Sequence, residues 1–175
     1  MIIVGIDPGK NGGIAIINGN DIILHRIPQI AKEVDVRGLF DIFEGIRLNT
    51  EPAKIIIEDV HSVFSASAKA NFQFGWITGF LEGMAMSLEL PYFKIQPKVW
   101  QKDVWQGGKI IETPTSEKDK NGNVKYKVDT KATSLLAAKR LFPNTNLLAT
   151  PRSKVPHDGL VDALLIAEYG RRNFK

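Results

Sequence analysis

Four carboxylates stand where carboxylates are unusual: Asp7, Glu58, Asp158 and Asp162. Asp7 closes the apolar run Ile2-Ile3-Val4-Gly5-Ile6, and Glu58 closes the β-branched run Ile55-Ile56-Ile57. Strand interiors exclude acids, and buried charges persist only when paired or metal-bound. Asp158 and Asp162 are four apart, which projects them from one face of a helix. Acids brought together from three places would repel one another unless divalent cations sat between them. Oxygen-only ligands suit hard ions such as Mg²⁺, with Mn²⁺ as a substitute.

Each acid also has a plainer reading. Asp7-Pro8-Gly9 is good turn chemistry, Glu58 could be a surface acid at a strand end beside Asp59, and Asp158 could be a helix N-cap. Asp162 is harder to dismiss, because it sits among Leu160, Val161, Ala163, Leu164 and Leu165. His157 could reach a metal, although a loop histidine is more often incidental, and the same holds for His25 and His61.

The elements that must position these acids follow from periodicity. Residues 2–6, 13–18 and 21–27 are strand-like, and Asn18-Gly19-Asn20 joins the last two as a hairpin. A helix period runs over 36–47, with Leu39, Phe40, Phe43 and Ile46 on one side. Residues 53–57 form a short run apolar on both faces, the mark of a central parallel strand. A long helix is predicted over about 65–88. Its Gly75, Gly79 and Gly83 are spaced by four, so another backbone approaches there, either the sheet or a twin helix across a dimer axis. Residues 92–96 are predicted as a buried strand, and Pro97 opens a short helix to Trp105. Residues 107–128 break the pattern and predict a projecting basic hairpin or flap. A helix over 131–142 follows, capped by Asp129 or Thr130, with Leu135, Leu136, Ala138 and Leu141 inward. The last helix spans about 158–172. The order predicts one α/β domain over residues 1–175, a mixed five-stranded sheet with helices on both faces. In it Asp7 and Glu58 end adjacent strands on one edge.

Composition narrows the partners. The chain has 175 residues, 43% hydrophobic and 24% charged, and no cysteine, which excludes disulfides and thiolate chemistry. No long apolar run and no leader pattern is present, so a cytoplasmic, intracellular protein without membrane attachment is expected. From Lys94 to Lys154 there are 13 Lys and Arg against 5 Asp and Glu, and elsewhere 10 basic against 14 acidic. A polyanion is expected on the basic segment, with acidic chemistry elsewhere; a solvated basic face is the alternative.

Together, Ile6-Asp7-Pro8-Gly9, Ile55-Ile56-Ile57-Glu58, Gln96-Pro97-Lys98-Val99-Trp100 and His157-Asp158-Gly159-Leu160-Val161-Asp162-Ala163-Leu164 resemble the RuvC-type Holliday junction resolvases, of RNase H-like fold, and most nearly the small phage-type members. The resemblance spans nearly the whole chain. It implies a homodimeric, Mg²⁺-dependent endonuclease that nicks opposed strands of four-way and other branched DNA, possible phage encoding included. Asp7, Glu58 and Asp162 match the family's metal-binding acids. Bacterial members usually place the fourth at the position of Gly159; mitochondrial relatives place it at the position of Asp158. The family's dimer contact falls on the helix carrying Gly75, Gly79 and Gly83. Two ions would activate a water and stabilise the leaving 3′-oxygen, giving 5′-phosphate and 3′-hydroxyl ends. Lys98 or Lys102 would steady the phosphate. Lys109, Lys118, Lys120, Lys125, Lys127, Lys131, Lys139 and Arg140 would contact the backbone, and His61, Phe64 and Tyr126 would stack on unpaired bases. The rivals are an RNA-processing nuclease of the same fold, a non-catalytic junction-binding module, and an actin-like kinase, for which the chain is too short.

Overall fold

The computed structural model describes residues 1–59 and 67–174. Strands β1 (Ile2–Asp7), β2 (Gly13–Asn18) and β3 (Asp21–Arg26) form an antiparallel meander. A two-residue pair, β4 (Gln29–Ile30) and β5 (Glu33–Val34), precedes helix α1 (Val36–Arg47), which the Asp35 side chain caps. Strand β6 (Ala53–Glu58) then enters parallel to β1. Helix α2 (Ala68–Ser87) leads to β7 (Tyr92–Ile95), parallel to β6, and α3 (Pro97–Val104) follows. Residues 112–128 make a hairpin of β8 (Glu112–Lys118) and β9 (Val124–Val128), before α4 (Thr130–Leu141) and α5 (Asp158–Asn173). The five-stranded sheet has the order β3-β2-β1-β6-β7, mixed as the sequence predicts.

Helices cover both faces because the central strands are apolar on both. Ile2, Val4, Ile6, Ile55 and Ile57 face α1 and α2, where they meet Phe43, Ile77 and Leu81. Ile3, Ala15, Ile17 and Ile56 face α3, α4 and α5, where they meet Trp100, Ala137 and Leu164. Alternate side chains serve opposite cores. Helix α5 lies closest: a Cβ at Gly5 would strike the backbone of Ala163 and Ala167. Small residues at that crossing let the helix rest directly on β1.

One element is not anticipated by the sequence, and three expectations are corrected. The β4–β5 pair turns at Ala31 (φ 50°) and Lys32 (φ 68°), which lack the glycine or asparagine that usually announces such a turn. β7 is an edge strand, and Phe93 and Lys94 are exposed rather than buried. Gly75, Gly79 and Gly83 do not meet the sheet: a Cβ at any of them would touch nothing among the described residues. Helix α4 turns Thr133, Ser134, Ala137 and Ala138 inward and leaves Leu136 exposed, since its inner face bonds to polar neighbours. His61 and Phe64 lie outside the described residues. Among those described, no helix is long and apolar enough to cross a membrane.

Candidate active site

Register brings the first two acids together. β1 and β6 run parallel with Ile6 opposite Ile57, so the next residues, Asp7 and Glu58, leave the sheet side by side at its carboxyl edge. α5 delivers the other two. Its first turn rests against the loop after β1, where a Cβ at Gly159 would collide with Asn11 and Gly12 and one at Gly13 would approach the Gly159 backbone. No side chain fits at position 159, and Asp158 and Asp162 stand on either side of it along the helix.

The electrostatics tie the acids into one set. Burial, then the nearby Glu58 charge, raises the Asp7 carboxyl from its ordinary 3.8 to about 7, against a backbone hydrogen bond from Gly9. Burial raises Glu58 from 4.5 to about 7, with the Asp162 charge adding and the Trp100 hydrogen bond opposing. Asp162 is raised from 3.8 to about 7 by burial and by Asp7, while Ser134 opposes. Desolvation and like charge both favour the protonated acid.

Three neighbours hold these carboxylates. Trp100, fully buried on α3, donates its Nε1–H to Glu58 Oε1 at 2.9 Å. Ser134, buried on α4, bonds to Asp162. Lys131, one turn earlier on α4, places Nζ 2.6 Å from Asp158 Oδ2. Sequence reasoning missed Trp100 and Ser134 as partners of acids and took Lys131 for a backbone contact. The spacing of Lys131 and Ser134 by three was the available signal.

Other candidates are placed apart. Asp59 pairs with Lys94 at 3.1 Å. His157, not Asp158, is the N-cap of α5, with Nδ1 accepting from Leu160 N at 3.4 Å. His25 is half-buried on β3, where burial lowers its pKa. Lys98 and Lys102 lie exposed on α3, and Lys109, Lys118, Lys120 and Lys127 are exposed along the hairpin segment. Lys125 pairs with Glu117 at 3.1 Å. Arg140 is taken up by the backbone, its Nη2 donating to Val104 O at 2.9 Å and Gln106 O at 3.0 Å. Tyr126 is exposed on β9.

The donor set fits a hard divalent cation in its chemistry. It offers oxygen only, and burial, reinforced by like charge, raises three of the acids to about 7, a penalty that a bound cation would offset. Among the described residues, no three His, Asp or Glu side chains are gathered closely enough to cage an ion as they stand. Asp158 is turned onto Lys131, and that pair is exposed. Exposed pairs contribute only about 0–1 kcal/mol, so an incoming cation can exchange with the ammonium at small cost.

The sequence matches no protein-family model and no curated protein. The fold is matched among solved structures. A Thermus thermophilus RuvC structure aligns over 98% of this chain and 96% of its own, at 18% identity and TM-score 0.52. T. thermophilus RuvC in complex with a Holliday junction substrate aligns over 98% and 95%, at 16% identity and TM-score 0.52. The chain has a RuvC-like fold.

Proposed function

We propose that this chain is a metal-dependent, structure-specific endonuclease that cuts four-way and other branched DNA by paired symmetric nicks, leaving 5′-phosphate and 3′-hydroxyl ends. The observation that carries the reading is the coupling of Asp7, Glu58, Asp158 and Asp162 at the carboxyl edge of a RuvC-like sheet. The solved neighbour that binds a Holliday junction supplies the substrate class.

In this reading the four acids would hold two Mg²⁺ or Mn²⁺ ions, which when bound would supply water activation and stabilisation of the leaving 3′-oxygen. Trp100 and Ser134 fix the rotamers of Glu58 and Asp162, so the ligands are oriented before substrate arrives. Lys131 neutralises Asp158 in the resting protein and, once displaced, offers its ammonium to the phosphate. Lys98, Lys102 and the hairpin lysines bind the DNA backbone, with Lys102 the residue assigned to the scissile phosphate.

Paired cutting needs two sites, and α2 is the proposed dimer element. Phe72, Trp76 and Met86 are exposed there to 74%, 44% and 65%, beside the open glycine row. A second copy would cover this stripe and let the helices approach closely.

The test is incubation with a synthetic four-way junction, with Mg²⁺ or with EDTA, and mapping of both strands at nucleotide resolution. Mg²⁺-dependent, symmetric nicks in opposed strands are expected. Preferential cutting of an RNA duplex would transfer the site to RNA processing, and tight junction binding without cleavage would leave a binding module.

A further inference from the structure

Helix α3 has two distinct faces. Trp100 and Val104 are buried, and Trp100 holds Glu58. On the outer side Lys98, Gln101, Lys102 and Trp105 recur at spacings of three and four, which aligns them along one stripe. That stripe walls a cleft of about 540 Å³, closed opposite by Gly107, Gly108, Ile110 and Val128 at the foot of the hairpin. Ile110 and Val128 are exposed, and among the described residues the lining contains no carboxylate. The cleft is therefore apolar and aromatic within and cationic at its rim.

Its shape is preset. Arg140 pins the turn after α3 through the Val104 and Gln106 carbonyls. Gly107 takes a left-handed conformation (φ +73°), which reverses the chain toward the hairpin. A wall already in place avoids ordering costs on binding.

We infer that this cleft receives an unpaired base of the DNA strand, stacked on Trp105, with the flanking phosphates on Lys98 and Lys102. A flat apolar group carrying anions on either side matches both the lining and the rim; an apolar peptide would leave both ammoniums without counter-charge. Because α3 holds Glu58 from its other face, a strand anchored here is tied to the element that positions the acids. The inference rests on the nuclease reading.

The experiment uses the full chain in EDTA with a four-way junction carrying 5-iodouracil near the crossover. After irradiation and tryptic digestion, the adduct is expected on the peptide 103–109, at Trp105. Ile110→Glu, at a surface position that leaves the core untouched, should weaken junction binding by about tenfold or more, as loss of one stacked base does, and should remove the adduct. Adducts only on Tyr126 or elsewhere, with Ile110→Glu binding like wild type, overturn the cleft. If junctions are bound and cut normally under that outcome, the nuclease reading stands alone. If the wild-type chain neither binds nor cuts any junction, both fall.

Discussion

Lys131 Nζ on α4 lies 2.6 Å from Asp158 Oδ2 on α5, so the most exposed of the four acids is already paired with a cation of the chain itself. Among the described residues the other three have no such partner at that distance, and all three are raised to about 7. One acid is thus salt-bridged at the rim, while three more buried acids with raised pKa values lie beneath it. Removal of this ammonium should affect catalysis more than binding. Lys131→Gln is expected to slow junction cleavage on the order of 10²-fold while changing junction affinity in EDTA by about twofold or less. Equal losses in both would make Lys131 a plain backbone contact.

Neutral isosteres at the buried acids should trade activity for stability. Asp7→Asn and Asp162→Asn remove a carboxylate whose ionised form is disfavoured by burial and like charge. Each should abolish Mg²⁺-dependent cleavage and raise the melting temperature of the metal-free protein at pH 8 by several degrees, since one pKa unit is about 1.4 kcal/mol. Retained cleavage in both would remove these acids from the metal site.

The pH dependence of stability has a definite sign. Asp7, Glu58 and Asp162 bind protons more tightly in the folded chain, with pKa values near 7 against 3.8 to 4.5 ordinarily. Their contribution is fully present below about pH 4 and is lost as pH rises through 7. In EDTA the melting temperature should therefore fall between pH 5.5 and 8, and excess Mg²⁺ should flatten that fall. A scanning-fluorimetry series in both conditions reads it. A metal-free melting temperature that climbs over this range would count against three buried, coupled acids.

Trp100→Phe keeps most of the ring volume and deletes the N–H that holds Glu58. It should cost about 1–3 kcal/mol of stability. It should also shift the acidic limb of the cleavage pH profile upward, because the hydrogen bond lowers the Glu58 pKa. An unchanged profile would confine Trp100 to packing.

Gly159→Asp tests why the fourth acid sits at 158. The new Cβ would strike the backbone of Asn11 and Gly12, so the variant should lose several degrees of melting temperature and fail to rescue Asp158→Ala in cleavage assays. Rescue without loss of stability would mean that the loop after β1 yields easily.

Much of this was legible in the chain because it depends on local pattern. The runs 2–6 and 53–57, the helix period of 36–47 and the Asn18-Gly19-Asn20 turn each encode their element in neighbouring residues, and the sheet follows from their order. What escaped has a physical reason in each case. The β4–β5 turn uses Ala31 and Lys32 at positive φ, against their intrinsic preference. The inward face of α4 is partly polar because Thr133 Oγ1 accepts from Ile111 N at 3.0 Å and Ser134 bonds to Asp162; Ala138, Leu135 and Leu141 lie on the core side as hydrophobicity indicates, but Leu136 is displaced to solvent.

The sequence by itself determined which residues could do chemistry: acids at the ends of apolar strands and at helical spacing, in a chain with no cysteine to compete. The tertiary structure decided which of them meet and what holds them. Parallel register set Asp7 beside Glu58, the bare Gly159 backbone seated α5 against the loop after β1, and Trp100, Ser134 and Lys131 arrived from helices far along the chain. Such partners leave no local mark in sequence, because a hydrogen bond between residues 42 apart is specified only by the packing that brings them together.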